Sequence, residues 1–117
     1  MEPDIIKDDD RVLRRARFTN PGYVRQDMTV TSFAFKLRKG ESGLSVDIER
    51  LTTYSKSIND PAQYRLFGVI VVEIKAAGVD CIHKPEVDNY AHAEIVGNIT
   101  NSVSSKLAKA AVYIYYP

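Results

Sequence analysis

At 117 residues the chain has the length of one domain and enough material to bury a core without disulfide or metal staples. Hydrophobic residues make up 44% and charged residues 26%, a balance that excludes a disordered chain. The net charge of +1 supplies no global field for nucleic acid or an anionic membrane, and a single cysteine, Cys81, excludes an internal disulfide framework.

Residues 1–10 are acidic and hold no apolar stretch of signal-peptide length, so a reducing cytoplasm is the expected location. The apolar run at 69–72 is far too short to span a bilayer. Asp8-Asp9-Asp10 suits the positive start of an element. Arg11, Arg14, Arg15 and Arg17 then surround Val12 and Leu13; on a helix, Arg11, Arg14 and Arg15 share one face. Asn20-Pro21-Gly22 marks a turn.

Residues 28–37 alternate in the manner of a strand, with Phe33, Phe35 and Leu37 on the buried side. Residues 44–48 alternate again, Leu44, Val46 and Ile48 facing inward, and the polar loop between the two segments suggests a hairpin. Thr52, Thr53, Ser55 and Ser57 favour turns and caps. Asp60-Pro61 reads as an N-cap and first helical position, predicting a short helix over 61–66. The β-branched residues 69–72 read as a strand running into a helical turn closed by Gly78.

Residues 79–83 read as a strand ended by Lys84-Pro85. After a polar turn, residues 91–96 form a further strand. Ala91, Ala93 and Ile95 share one face of it; His92, Glu94 and Val96 share the other. Thr100 or Asn101 caps a helix over 101–112, whose apolar stripe is Val103, Leu107, Ala110 and Ala111, with Ile114 in phase. The tyrosine-rich tail, 113–117, is expected to pack back on the domain. The fold expected is a single α+β domain over 1–117, a mostly antiparallel sheet of four or five short strands packed by the C-terminal helix. Its expected core is Phe33, Phe35, Leu44, Val46, Ile48, Val69, Val71, Ile82, Ile95, Val103 and Leu107.

Three groups could carry chemistry. His92 is able to act as acid or base near neutral pH, with Asp88 and Glu94 close in sequence, so these three are the candidate catalytic set for a small hydrolase or nuclease-like enzyme. Arg11, Arg14, Arg15 and Arg17 are the candidate anion or nucleic-acid contacts, with Lys36, Arg38 and Lys39 as helpers. Cys81 and His83 share a strand face, but one cysteine and two histidines fall short of a structural zinc site, and neither metal nor cofactor is expected. The chain holds no phosphate-loop, dinucleotide, nucleophile-elbow or zinc-protease motif.

A wider pattern runs through Ser32-Phe33-Ala34-Phe35-Lys36, Leu44-Ser45-Val46-Asp47, Gly68-Val69, Asn89-Tyr90-Ala91-His92-Ala93 and Leu107-Ala108-Lys109-Ala110-Ala111. It resembles a family of small bacterial proteins of unassigned function and covers most of the chain. The resemblance implies a bacterial cytoplasmic protein that works with partners, as small domains in defence and toxin-related systems do; it implies no activity and no catalytic residue. The leading functional expectation is therefore a non-catalytic protein-interaction module. The enzyme centred on His92 and the nucleic-acid binder using Arg11–Arg17 are its rivals.

Overall fold

A computed structural model describes residues 2–115. Its centre is a six-stranded antiparallel sheet built from β1 (Arg11–Arg17), β2 (Leu44–Ile48), β3 (Tyr64–Ile70), β4 (Asp80–His83), β5 (His92–Val96) and β6 (Val112–Ile114), in the order β4-β5-β2-β1-β3-β6. Three helices accompany it: α1 (Tyr54–Ile58), α2 (Val71–Ala76) and α3 (Asn101–Ala110). The domain is thus α+β, with one strand more than the upper expectation. Among the described residues no helix is long and apolar enough to cross a membrane.

The arginine-rich segment is a strand rather than a helix because β1 is apolar on both faces. Val12 enters the main core, whereas Leu13 enters a smaller one with Leu66, Ile58 and Ile114 under α1. Strand geometry sends successive side chains to opposite sides, so both cores are served at once. β1 pairs with β3 along seven residues, Arg11↔Ile70 to Arg17↔Tyr64. That ladder also claims the segment expected as a helix over 61–66. Asp60 opens a turn there, accepting from the Ala62 amide at 3.1 Å, and the chain enters β3 at Tyr64.

Residues 28–37 do not form a strand or a hairpin with β2. Met28 has φ 63°, in the left-handed region, which ends any extended run. A single bridge, Val24↔Val30, precedes a 3-10 turn at Ser32–Phe35. The tighter turn separates the two phenylalanines: Phe35 is fully buried, whereas Phe33 is 57% exposed with the Lys36 ammonium 4.2 Å from its ring centroid. β2 pairs instead with β1 and β5.

The main core gathers Leu44, Val46, Ile48, Phe67, Val69, Cys81, Ala93 and Ile95 from the sheet, and Val71, Ile74, Val103 and Leu107 from the helices. Ile82, expected inside, points outward because Cys81 and His83 take the inner positions of β4. Burial beside Asp80 and Asp10 pushes the Cys81 thiol up to about 12. α2 closes at Gly78, whose φ of 94° suits a residue without Cβ. Gly68 lies tight beneath Arg11: a Cβ there would stand 2.7 Å from Arg11 Cδ, so the arginine side chain would have to shift. α3 starts where Thr100 Oγ1 accepts from the Val103 amide at 3.2 Å, and Ser104 Oγ donates to the Phe35 carbonyl at 2.8 Å. It ends at Ala110, two residues short of the expected boundary, because Val112 and Ile114 extend beside β3. Tyr113 packs on Phe67, Tyr115 is exposed, and the rest of the tyrosine tail lies outside the described residues.

The acidic N-terminal segment starts no helix of its own; it is bound down as a strap, and its Asp10 and Asp8 carbonyls accept from the Val71 and Val72 amides at the start of α2, at 2.8 and 2.9 Å. Asp10 accepts from Arg50 Nε at 2.8 Å and from the Lys7 amide at 2.9 Å, and Arg50 also reaches Asp4 and the Ile5 carbonyl. The Asp4 amide donates to His83 Nδ1 at 2.7 Å. Desolvation pushes the Asp10 carboxyl up, but its bonds to Arg50 and Lys7 outweigh that and hold it below the ordinary aspartate value. A depressed folded-state pKa stabilises the fold fully above the unfolded value of about 3.9, and the contribution is lost as pH falls through the folded value. Asp10→Asn should therefore lower stability at neutral pH and flatten its decline below about pH 4. Urea titrations across the acid range check this; an unchanged acid limb would refute it.

Candidate functional site

α1 is short and packs its apolar side over β1, β3 and β6, where Ile58 joins Leu13, Leu66 and Ile114, and touches β2 through the Ser57–Asp47 bond. The outer face of β2 and β5 is left polar, because the inward positions of both strands hold the apolar residues. Beside α1 lies an open groove of about 650 Å³ whose lining includes Arg15, Ser45, Asp47, Lys56, Glu86, Asp88, Asn89 and His92.

His92 is held at both ring nitrogens. Nδ1 lies 2.9 Å from the Lys84 carbonyl and Nε2 lies 3.3 Å from Ser45 Oγ. A carbonyl can only accept, so Nδ1 carries a proton and donates to Lys84; in the neutral ring Nε2 is then the nitrogen that accepts from the Ser45 hydroxyl. The His92 side chain is 12% exposed, whereas Ser45 lies open to the groove.

The carboxylates expected to serve His92 are placed differently. Asp88 lines the same groove. Glu94 shares the outer face of β5 but contacts Lys84 Nζ at 3.2 Å and Ser42 Oγ at 3.1 Å. Glu86 stands 3.9 Å from Nδ1 and is half exposed. Asp47, across the ladder from His92, is occupied on both oxygens, by Asn89 Nδ2 and Ser57 Oγ, each at 2.8 Å. Asp47 thereby ties α1 and the 86–89 turn to the sheet. Sequence reasoning misses Ser45. Its outward position is legible from the alternation of 44–48, but its meeting with His92 depends on β2 pairing with β5.

The four arginines of β1 divide. Arg11 is bonded to Glu49 and leaves the cluster. Arg14, Arg15 and Arg17 line a second groove of about 390 Å³ with Arg38, Asn20, Tyr23, Phe33 and Tyr64. No carboxylate lines it among the described residues. Arg17 donates to Tyr64 Oη and Arg38 to Tyr23 Oη, both at 3.2 Å, and the Arg15 guanidinium lies 5.5 Å from the Tyr64 ring centroid. Arg15 lines both grooves.

Arg14 has a structural duty as well. The β1–β2 ladder covers only Val12↔Ile48 and Leu13↔Asp47, and beyond it Arg14 spans the gap. Its Nε donates to the Ala34 carbonyl at 2.9 Å and its Nη1 to the Ser45 carbonyl at 2.8 Å. Desolvation lowers this guanidinium to about 10, the Glu41 charge opposing the shift only partly.

His83 is committed elsewhere, between the Asp4 amide and the Tyr90 carbonyl. Among the described residues no three of His, Cys, Asp and Glu stand close enough to hold a metal ion. Comparison of the chain with family models, with curated proteins and with solved structures finds no match.

Arg14→Met would keep the aliphatic stem and strip both carbonyls of their donor. The expected loss is about 2 kcal/mol of unfolding free energy, against under about 0.5 kcal/mol for Arg17→Met on the exposed end of the strand. Denaturant melts of the two variants check the contrast, and equal losses would show that Arg14 does not bridge the gap.

Proposed function

We propose that the protein binds single-stranded nucleic acid in the arginine groove beside β1. The observation that carries this reading is the lining: Arg14, Arg15, Arg17 and Arg38 around one concavity, with Tyr23, Phe33 and Tyr64 among them and no carboxylate in the lining itself. Guanidinium groups suit phosphate oxygens in a fixed fork, and exposed aromatic faces suit unstacked bases. A duplex needs a wider continuous basic surface than a chain of net charge +1 offers, whereas a local groove can follow one strand.

The test is fluorescence anisotropy with a short labelled oligonucleotide at low salt. The parent should bind, and its affinity should fall as salt rises. Arg15→Glu with Arg38→Glu should weaken binding at least tenfold and reduce the salt slope by about 0.7 for each phosphate that is no longer neutralised. No binding at low ionic strength, or binding that ignores both substitutions, refutes the proposal.

A protein partner, as the bacterial resemblance implies, is the second reading. The feature favouring it is β6, which ends the sheet order and exposes Val112 and, just beyond, Tyr115. An unpaired strand edge is a template for an added strand. Affinity purification from the native host should retain a stable partner that Val112→Lys releases. A parent chain that purifies alone would sink this reading.

A further inference from the structure

We propose that Ser45 and His92 form the nucleophile and general base of an acyl-transfer site that hydrolyses carboxylic esters. The inference goes beyond nucleic-acid binding and rests on the other groove. Three observations carry it. The Lys84 carbonyl at 2.9 Å fixes the proton on His92 Nδ1, which leaves Nε2 as the base, 3.3 Å from Ser45 Oγ. The base is almost wholly shielded while the nucleophile faces the groove. Two cations, Arg15 and Lys56, line the same groove, where negative charge would develop on a carbonyl oxygen.

This is the nucleophile–base–orienter arrangement with a backbone carbonyl in the orienting place. A carbonyl holds the ring in the required tautomer without a full negative charge, and the Glu86 carboxylate 3.9 Å from Nδ1 is half exposed and screened by water, so the site should act slowly on unactivated esters and readily on activated ones. The steps balance. Ser45 Oγ bonds to the ester carbonyl carbon as its proton passes to Nε2, the C–O bond to the alcohol breaks, and the alcohol leaves with that proton. Water then gives a proton to Nε2 and adds its oxygen to the acyl carbon, the bond to Ser45 breaks, and the proton returns to Oγ as the acid departs.

The experiment uses the full chain and a fluorophosphonate, which phosphonylates an activated serine with loss of fluoride. Intact mass followed by peptide mapping should place one adduct on Ser45. Ser45→Ala should abolish it, and His92→Gln should slow it at least 100-fold. Ser45→Ala changes an exposed side chain, so it should retain oligonucleotide binding and a parent-like melt. Failure of this proposal is thus separable from failure of the nucleic-acid reading. No adduct on the parent, an adduct on another serine, or labelling by His92→Gln at the parent's rate would each overturn it. Because the parent alone can return the first two results, the test does not depend on a variant folding.

Discussion

The Arg14 guanidinium between the carbonyls of Ala34 and Ser45 is the interaction on which the working face depends. β1 is paired to β3 over its full length, but its ladder with β2 stops after two residues. The part-buried Ala34 carbonyl needs the donor most, because leaving such a group buried and unbonded costs about 1–3 kcal/mol. An arginine reaches where a backbone amide no longer does. Its fork joins the 3-10 turn at Ser32–Phe35 to β2 and fixes the backbone of Ser45 from one side, while the hydroxyl of that residue meets His92 on the other. The opening that Arg14 spans is also the floor of the basic groove.

The two sides of the sheet have separate duties. The inner side is apolar and covered; the outer side has a small apolar core at one end and hydrogen-bonded polar residues at the other. Asp47 shows how the polar half is held. Each carboxylate oxygen accepts from a different element, Ser57 in α1 and Asn89 in the 86–89 turn. The walls of the larger groove are therefore anchored to one strand residue. Arg15 stands where the two grooves meet, so a ligand in one is close to the lining of the other.

Local signals suffice wherever one element determines its own neighbours. Helix α3 follows from the spacing of Val103 and Leu107 and the cap at Thr100, and β5 from the alternation of Ala93 and Ile95. They mislead where a distant partner decides the outcome. Residues 28–37 alternate like a strand, yet φ 63° at Met28 and the tight turn send Phe33 and Phe35 apart. Residues 61–66 carry a helix-start signal that seven pairs with β1 override. The basic groove combines β1 with Asn20, Tyr23 and Arg38 from a loop, and the meeting of Ser45 with His92 spans 47 residues. His92 itself is legible as a reactive group, but its bonding partners are not.

Cys81 gives the chain a built-in reporter of its own motions. The thiolate is the reactive form, and burial with a value of about 12 leaves very little of it at neutral pH. Alkylation must therefore wait for β4 to part from the core, and its rate counts those openings directly. The same strand carries His83, which receives the amide of Asp4. With no other thiol in the chain to confuse the signal, the trapping rate would register how firmly the N-terminal strap clamps that edge of the sheet, without any label being introduced.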